Sequence, residues 1–250
     1  MVGRFRAALA VALSTLLAAG ACSTDDGASL TVFAAASLTE SFGDLQARLR
    51  TTNPGLSLTY SFAGSGALVT QVQQGAPADA IATADPQSMK RLRDAGLVDP
   101  PVSFATNKLE ILVEPGNPKA IRGLQDLART DITLVIADEN VPAGRYSAQA
   151  LQAAGVSVRP ASKEADVKAA VAKVTAGEAD ATIVYVTDVR AAGSKGQGVT
   201  IPDSLNVVAE YPIAIVKATR NRAAAAAFVA AVTEGDGQGE LRKRGFLPPT

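Results

Sequence analysis

Two serines stand where an apolar, strand-like run gives way to a helix-like pattern. Ser37 ends the run in LTVFAAAS, and Ser65 follows LSLTYSFAG. A strand that ends at a helix N-terminus presents free backbone N–H groups, the positive end of the helix dipole and, here, a hydroxyl group. Such a junction is suited to binding an anion. The structural alternative is that Ser37 only caps its helix and that Ser65 only forms a turn, since serine is favoured in both settings.

Serine is also a nucleophile, so a hydrolase is the alternative from a different functional class. The chain has no histidine and one cysteine, so a Ser-His-Asp or Cys-His site lacks its base. Ser65 lies in AGSGA and not in the GxSxG motif of a nucleophile elbow. Asp79 and Asp85 are interpreted as turn and capping residues. Zinc and copper sites also rely on histidine and cysteine, so the sequence favours binding over catalysis.

The elements around the serines alternate between strand and helix patterns, which predicts an α/β architecture with largely parallel strands. The second half repeats the scheme with a strand at 133–137, a turn around Ala143, a short strand at 156–159, and a helix that opens near Val167. A further strand at 181–186 carries Tyr185 near its end. Ligands of such sheets bind beyond the carboxyl ends of strands. Four junctions before helices, two in each half of the chain, carry small residues that allow close approach. We therefore expect a binding cleft between two lobes.

The N-terminus reads as a targeting segment. Arg4 and Arg6 precede an apolar run that ends in Ala19-Gly20-Ala21 before the only cysteine, Cys22. This arrangement resembles a bacterial lipobox, although Ala19 stands where leucine is usual. We therefore expect residues 1–22 to be a lipoprotein signal peptide, Cys22 to be lipidated and residues 23–29 to be a flexible tether. The alternative is a secreted protein with an incidental free thiol.

Composition excludes further classes. The chain has 250 residues, 47% of them hydrophobic, so it can bury one large or two smaller cores. Its 24 basic and 24 acidic side chains cancel, and no basic cluster is interleaved with aromatic residues, so nucleic acid is not an expected partner.

Several segments together resemble one family. They are VFAAASLTESF, YSFAGSGALVTQVQQGAPADAIATAD, NVPAGRYSAQAL, ADVKAAVAKVTAGEADATIVY, EYPIAIV and the closing GF. The chain is similar along its mature length to the periplasmic molybdate-binding proteins of ATP-driven (ABC) importers. The resemblance implies a type II periplasmic-binding-protein fold, in which two Rossmann-like lobes are joined by a two-crossing hinge. On this reading lobe I comprises residues 30–107 and 212–250, and lobe II comprises residues 108–211.

The resemblance also implies the site. The family's anion-binding positions fall on Ser37, Ser65, Ala143, Val167 and Tyr185. The serines would give hydroxyl and backbone N–H groups, Ala143 and Val167 backbone N–H groups, and Tyr185 its phenol. Without the resemblance, the favoured interpretation of Tyr185 is a core aromatic at a strand end. No catalytic residue, cofactor or metal cation is implied, because molybdenum would be bound as the oxyanion molybdate.

The expected function is therefore a non-enzymatic, monomeric receptor that is exported and lipid-anchored to the outer face of the cell membrane. It would capture molybdate or tungstate and deliver it to an ABC permease. Donors that are all N–H and O–H groups suit a fully deprotonated anion and disfavour protonated phosphate. Sulfate offers the same acceptors, so a sulfate receptor is the alternative within the class. Gly64 and Gly66 beside Ser65 depart from the family pattern, which either removes a secondary donor or loosens the loop. Arg145 is interpreted as a solvated first-turn side chain, and the alternative is that it supplies positive potential to the site.

Overall fold

The computed structural model describes residues 29–249. The predicted signal peptide with Cys22, and the predicted tether except for its last residue, lie outside the described residues. Within the described range, no helix combines the length and the apolar character needed to cross a membrane.

Strands and helices alternate along the described chain, as the sequence predicts. The strands are β1 (Ser29–Ala35), β2 (Ser57–Ala63), β3 (Ala80–Ala82), β4 (Val102–Val113), β5 (Val135–Ala137), β6 (Ser162–Glu164), β7 (Ala181–Tyr185), β8 (Gln197–Thr200) and β9 (Val208–Ile215). The helices are α1 (Thr39–Thr52), α2 (Ser65–Gln73), α3 (Pro86–Asp94), α4 (Pro142–Ala153), α5 (Val167–Thr175), α6 (Val186–Ala192), α7 (Arg222–Thr233) and α8 (Asp236–Arg244). The predicted α/β class is confirmed.

One long mixed sheet connects the described elements in the order β2-β1-β3-β9-β4-β7, with β8 also pairing with β4. Strand β1 runs parallel to β2 and β3, whereas β9 is antiparallel to both β3 and β4. Strands β5 and β6 form a separate parallel pair, and Leu134 bridges this pair to β7. The prediction of largely parallel strands is therefore wrong: the sheet is mixed, because β9 and β4 run antiparallel to the strands beside them.

Strand β4 belongs to two environments. Its residues 102–108 pair with β9, and its residues 109–113 pair with β7 and β8. We use the name lobe I for β1–β3, β9 and helices α1–α3, α7 and α8, and the name lobe II for β5–β8 and helices α4–α6. Because β4 and the loop before β9 connect these two sets, the chain crosses between them twice. The predicted residue boundaries of the lobes remain a prediction.

Burial explains why the helices lie where they do. In α1, Phe42, Leu45 and Leu49 are buried on one face, as their spacing predicts. Phe42 packs against Phe104 of β4 and edge-to-face against Phe228 of α7, with ring centroids 6.2 and 5.8 Å apart. Helices α1 and α7 are thereby fixed against the sheet, and the loops after β1 and β2 take up defined positions.

Two local predictions are wrong. No strand forms at 156–159, and the strand that pairs with β5 is β6, three residues later. Gly155 has a positive φ of 66°, and the apolar side chains that follow it pack against the core from a loop. Ser37 is not a helix cap: it lies in a 3₁₀ turn at 36–38, Leu38 takes the N-cap position of α1, and no side chain caps that helix.

Candidate functional site

The five residues that the sequence predicts as ligands line one cavity between the lobes. Ser37 lies in the 3₁₀ turn after β1 and Ser65 begins α2, both in lobe I. Ala143, Val167 and Tyr185 approach from lobe II. The cavity volume is about 10 Å³. This is far below the range of roughly 300–1,000 Å³ typical of organic-ligand pockets, so the cavity is too small for an organic ligand.

Both serine side chains are buried and already have one partner. The Ser65 Oγ atom accepts a hydrogen bond from the backbone N–H of Ala84 at 3.0 Å. The Ser37 Oγ atom lies 3.0 Å from the phenol oxygen of Tyr211. Because a hydroxyl oxygen can accept one bond and donate another, each serine can still donate its proton into the cavity.

Three helices point their first turns at the cavity. Ser65 and Val167 are the first residues of α2 and α5, and Ala143 is the second residue of α4, after Pro142. Backbone N–H groups in a first helical turn have no partner within the helix, and the helix dipole adds positive potential there. Asp166 caps α5 by accepting from the backbone N–H of Ala169 at 2.9 Å, which leaves the N–H of Val167 available.

Tyr185 ends β7 and is 1% exposed. Its hydroxyl is buried and has no hydrogen-bond partner among the described residues. A buried hydroxyl without a partner costs free energy, roughly 1–3 kcal/mol. Burial also raises the pKa of Tyr185 well above its ordinary value, so the phenol keeps its proton. The group is therefore a free donor that fits an oxyanion in the cavity.

The glycines beside Ser65 have a steric role. A Cβ atom on Gly64 would lie 2.8 Å from the backbone oxygen of Ala165, and one on Gly66 would lie 2.9 Å from that of Asn140. Both acceptors belong to lobe II. The two glycines therefore allow the loop of Ser65 to approach the other lobe closely, which a side chain would prevent.

Apart from Asp166, which caps α5, the charged residues near the cavity lie at its rim, where they form ion pairs between the lobes. Asp85 caps α3 by accepting from the backbone N–H of Ser88, as predicted, and also forms an ion pair with Arg145 of lobe II. The interpretation of Arg145 as a solvated side chain is therefore wrong. This pair lies 60 residues apart in sequence, so nothing local in the sequence indicates it.

A second ion pair crosses the cleft beside Val167. The ammonium group of Lys168 lies 2.7 Å from Glu40 of lobe I and 2.8 Å from Asp188 of lobe II. Burial opposes the charge of Lys168, but the two carboxylates outweigh it and raise the pKa of Lys168. Asp188 is fully buried, and its other oxygen accepts from the backbone N–H of Tyr185 at 3.2 Å. The cluster thus anchors the backbone at Val167 and Tyr185.

Sequence reasoning did not assign a site role to Tyr211. This residue lies on β9, is fully buried and contacts Ser37 through its hydroxyl. The available signal was a phenol inside an otherwise apolar strand, EYPIAIV, since a buried tyrosine hydroxyl usually finds a polar partner.

Comparison with known proteins places the chain in a family. Residues 30–247 match the family described as bacterial extracellular solute-binding protein. A curated relative, the molybdate-binding protein ModA of Mycobacterium tuberculosis, is 39% identical over 227 residues, which cover 90% of this chain and 87% of the relative. The protein of the same name from Escherichia coli is 34% identical and covers 81% of this chain and 82% of its own length.

A solved structure supports the fold. The periplasmic molybdate-binding protein of Azotobacter vinelandii superposes with a TM-score of 0.77 over 88% of this chain and all of its own, at 21% identity. This match confirms the predicted periplasmic-binding-protein fold. The family match over residues 30–247 and the relatives at 39% and 34% identity show that the chain belongs to the family of bacterial extracellular solute-binding proteins.

Proposed function

We propose that the protein is an extracytoplasmic receptor that captures molybdate, and also tungstate, and delivers it to the permease of an ABC importer. The observation that carries the proposal is the convergence of the five predicted donor residues on one small cavity, with the Tyr185 phenol buried there and free to donate. The relatives named molybdate-binding protein support the choice of ligand.

The chemistry of the donors favours a deprotonated dianion. Two serine hydroxyls, the Tyr185 phenol and the first-turn N–H groups are neutral donors, so they replace the hydration shell of the anion without introducing a countercharge. Burying a dianion is costly unless each oxygen is hydrogen-bonded. Bonds to a charged acceptor contribute on the order of 1.5–3 kcal/mol each, which makes such a donor set sufficient.

Sulfate is the alternative ligand, because it presents the same charge and the same acceptors on shorter bonds. Isothermal titration calorimetry of the mature protein with molybdate, tungstate, sulfate and phosphate tests the proposal. We expect binding of molybdate and tungstate, much weaker binding of sulfate and none of phosphate. Preferential binding of sulfate would show that the protein is a sulfate receptor instead. No binding of any oxyanion would refute both the molybdate and the sulfate proposals.

A hydrolytic role for the serines has no support from their surroundings. The partner of Ser65 Oγ is a backbone N–H group, and the partner of Ser37 Oγ is a phenol that burial keeps protonated. Neither partner is a general base. The proposal is therefore a binding protein and not an enzyme.

The proposal includes closure of the two lobes on the ligand, with lobe I at residues 30–107 and 212–250 and lobe II at residues 108–211. Donors from both lobes bind one anion only when the cleft is closed, so the anion favours the closed state. Small-angle X-ray scattering of a monomeric sample should show a smaller radius of gyration with molybdate. An unchanged radius under saturating ligand would contradict closure.

The proposal also places the receptor at the outer face of the membrane through a lipid on Cys22. Replacing Cys22→Ser in the full-length protein should abolish incorporation of a labelled fatty acid into it. Labelling of the variant to the wild-type level would contradict lipidation at Cys22 and leave the ligand proposal unaffected.

A further inference from the structure

Tyr211 stands directly behind one of the two serines of the site. Its hydroxyl lies 3.0 Å from Ser37 Oγ, and the residue is fully buried. Tyr211 does not line the cavity, whereas Ser37 does. Its hydroxyl therefore affects a bound anion through Ser37.

Ser65 shows what such a partner does. Its Oγ atom accepts from the backbone N–H of Ala84, and an amide N–H can only donate. The oxygen lone pair of Ser65 that faces the protein is thus occupied, and the hydroxyl proton is directed to the cavity. Ser65 is fixed as a donor by the fold.

Tyr211 takes the corresponding place behind Ser37. A phenol can donate or accept, but it is more acidic than an alcohol and is the better donor of the two. When Ser37 gives its proton to an oxyanion, the bond to Tyr211 persists only with Tyr211 as donor. Burial raises the pKa of Tyr211, so the phenol retains the proton that this arrangement requires.

Aromatic contacts hold the phenol in position. The Tyr211 ring packs edge-to-face against Phe246 at 5.2 Å and against Tyr185 at 5.9 Å between ring centroids. Phe104 of β4 lies 6.3 Å away on the same cluster. With rings from both lobes and from the C-terminal segment around it, the Tyr211 hydroxyl has a fixed direction toward Ser37.

We propose that Tyr211 is a positioning residue that fixes Ser37 as a hydrogen-bond donor, so that the site selects oxyanions without a proton over those that carry one. This inference rests on the proposed function and deepens it. With both serines fixed as donors, a protonated oxyanion such as hydrogen phosphate would place its O–H group against a donor. Release of Ser37 would relax that discrimination.

The test is Tyr211→Phe, with calorimetric titration of molybdate and of inorganic phosphate at pH 7. Loss of one neutral hydrogen bond should weaken molybdate binding about 3- to 10-fold. The ratio of molybdate to phosphate affinity should fall by at least the same factor. Tyr60→Phe is the matched control, because the buried Tyr60 hydroxyl has no partner among the described residues and does not line the cavity.

A double-mutant cycle distinguishes positioning from a general structural role. In a Ser37→Ala background, Tyr211→Phe should cause no further loss of molybdate affinity, because the Ser37 hydroxyl through which Tyr211 acts on the anion is already absent. An equal loss in both backgrounds, or an unchanged affinity and ratio in the single variant, would overturn the role of Tyr211. Wild-type protein that binds no molybdate would instead refute the proposed function, and the inference with it.

A second variant covers the case in which Tyr211→Phe does not fold. Site-specific replacement of Tyr211 by 3-fluorotyrosine keeps the ring and makes the phenol a stronger donor. Molybdate binding should then tighten relative to wild type. Unchanged or weaker binding by this folded variant would overturn the proposal.

Discussion

The cavity and its rim carry charge in different ways. The cavity is lined by hydroxyl and backbone N–H groups, and the one lining carboxylate, Asp166, is occupied in capping α5. The rim holds full charges, in the pairs Asp85–Arg145 and Glu40–Lys168, each of which joins one lobe to the other. Neutral donors have fixed directions and select a ligand by geometry, whereas ion pairs at a partly solvated rim are screened by salt. Under the proposed function, the cavity would recognise the ligand and the rim would support closure of the lobes.

The largest effect should come from removing one cavity donor. Tyr185→Phe keeps the ring and deletes the hydroxyl, so one anion oxygen loses a hydrogen bond in a buried site. The expected loss is roughly 1.5–3 kcal/mol, or about 10- to 150-fold in molybdate affinity. Calorimetry measures the affinity, and the melting temperature without ligand serves as the control. That temperature should not fall, since the hydroxyl has no hydrogen-bond partner among the described residues. Unchanged binding would mean that Tyr185 is a core residue and not a ligand.

A slightly smaller effect should come from a variant that keeps all the donors but prevents the two lobes from approaching each other. Gly64 has φ −59° and ψ 137°, a conformation that alanine adopts without strain, but its added Cβ would contact the oxygen of Ala165 at 2.8 Å. Overpacking of this kind costs about 1–3 kcal/mol, which we expect as a loss of roughly 5- to 150-fold in affinity for Gly64→Ala. Gly43→Ala on α1 has no atom within 4 Å and should bind as wild type. Equal affinities of the two variants would contradict the close approach of the lobes.

A small, salt-dependent effect should come from the rim. Glu40→Gln removes the charge that reaches Lys168 from lobe I, while Lys168 keeps Asp188 as its partner. A partly exposed pair contributes about 0.2–1 kcal/mol, so affinity should fall less than about fivefold and the difference should shrink at high salt. Glu178→Gln, which removes an exposed pair with Lys173 inside lobe II, should leave affinity unchanged. A large, salt-independent loss in Glu40→Gln would mean that the rim takes part in recognition.

The smallest effect should be that of pH. The pKa of Tyr185 is raised by burial, so its proton is present below the ordinary value of about 10 and is lost only as pH rises through the higher folded-state value. The pKa of Lys168 is also raised, so its charge and the stability it contributes are likewise present throughout this range. Molybdate affinity should be nearly constant from about pH 6 to 9. A tenfold change across this interval, measured by calorimetry, would place a titrating group in contact with the anion.

The sequence determined the local elements and the residues at their junctions. Hydrophobic periodicity defines α1, because Phe42, Leu45 and Leu49 must share a buried face. The position of Ser65 after a strand and before a helix follows from composition and glycine placement alone. The resemblance to a family then identified Ala143, Val167 and Tyr185, whose residue types by themselves carry little chemical information.

Tertiary structure decided the contacts that join distant segments. Ser37 and Tyr211 are 174 residues apart, Glu40 and Lys168 are 128 apart, and Asp85 and Arg145 are 60 apart. No local pattern encodes these partners. Ser37 and Tyr211 meet because β1 and β9 lie in the same sheet of lobe I, whereas the two ion pairs depend on how the two lobes are placed across β4 and β9. The steric role of Gly64 is likewise set by tertiary structure, because only the placement of the lobes brings the backbone oxygen of Ala165 close to it. Periodicity and capping act within a few turns of one element, whereas the direction of a buried hydroxyl is set by the element packed against it.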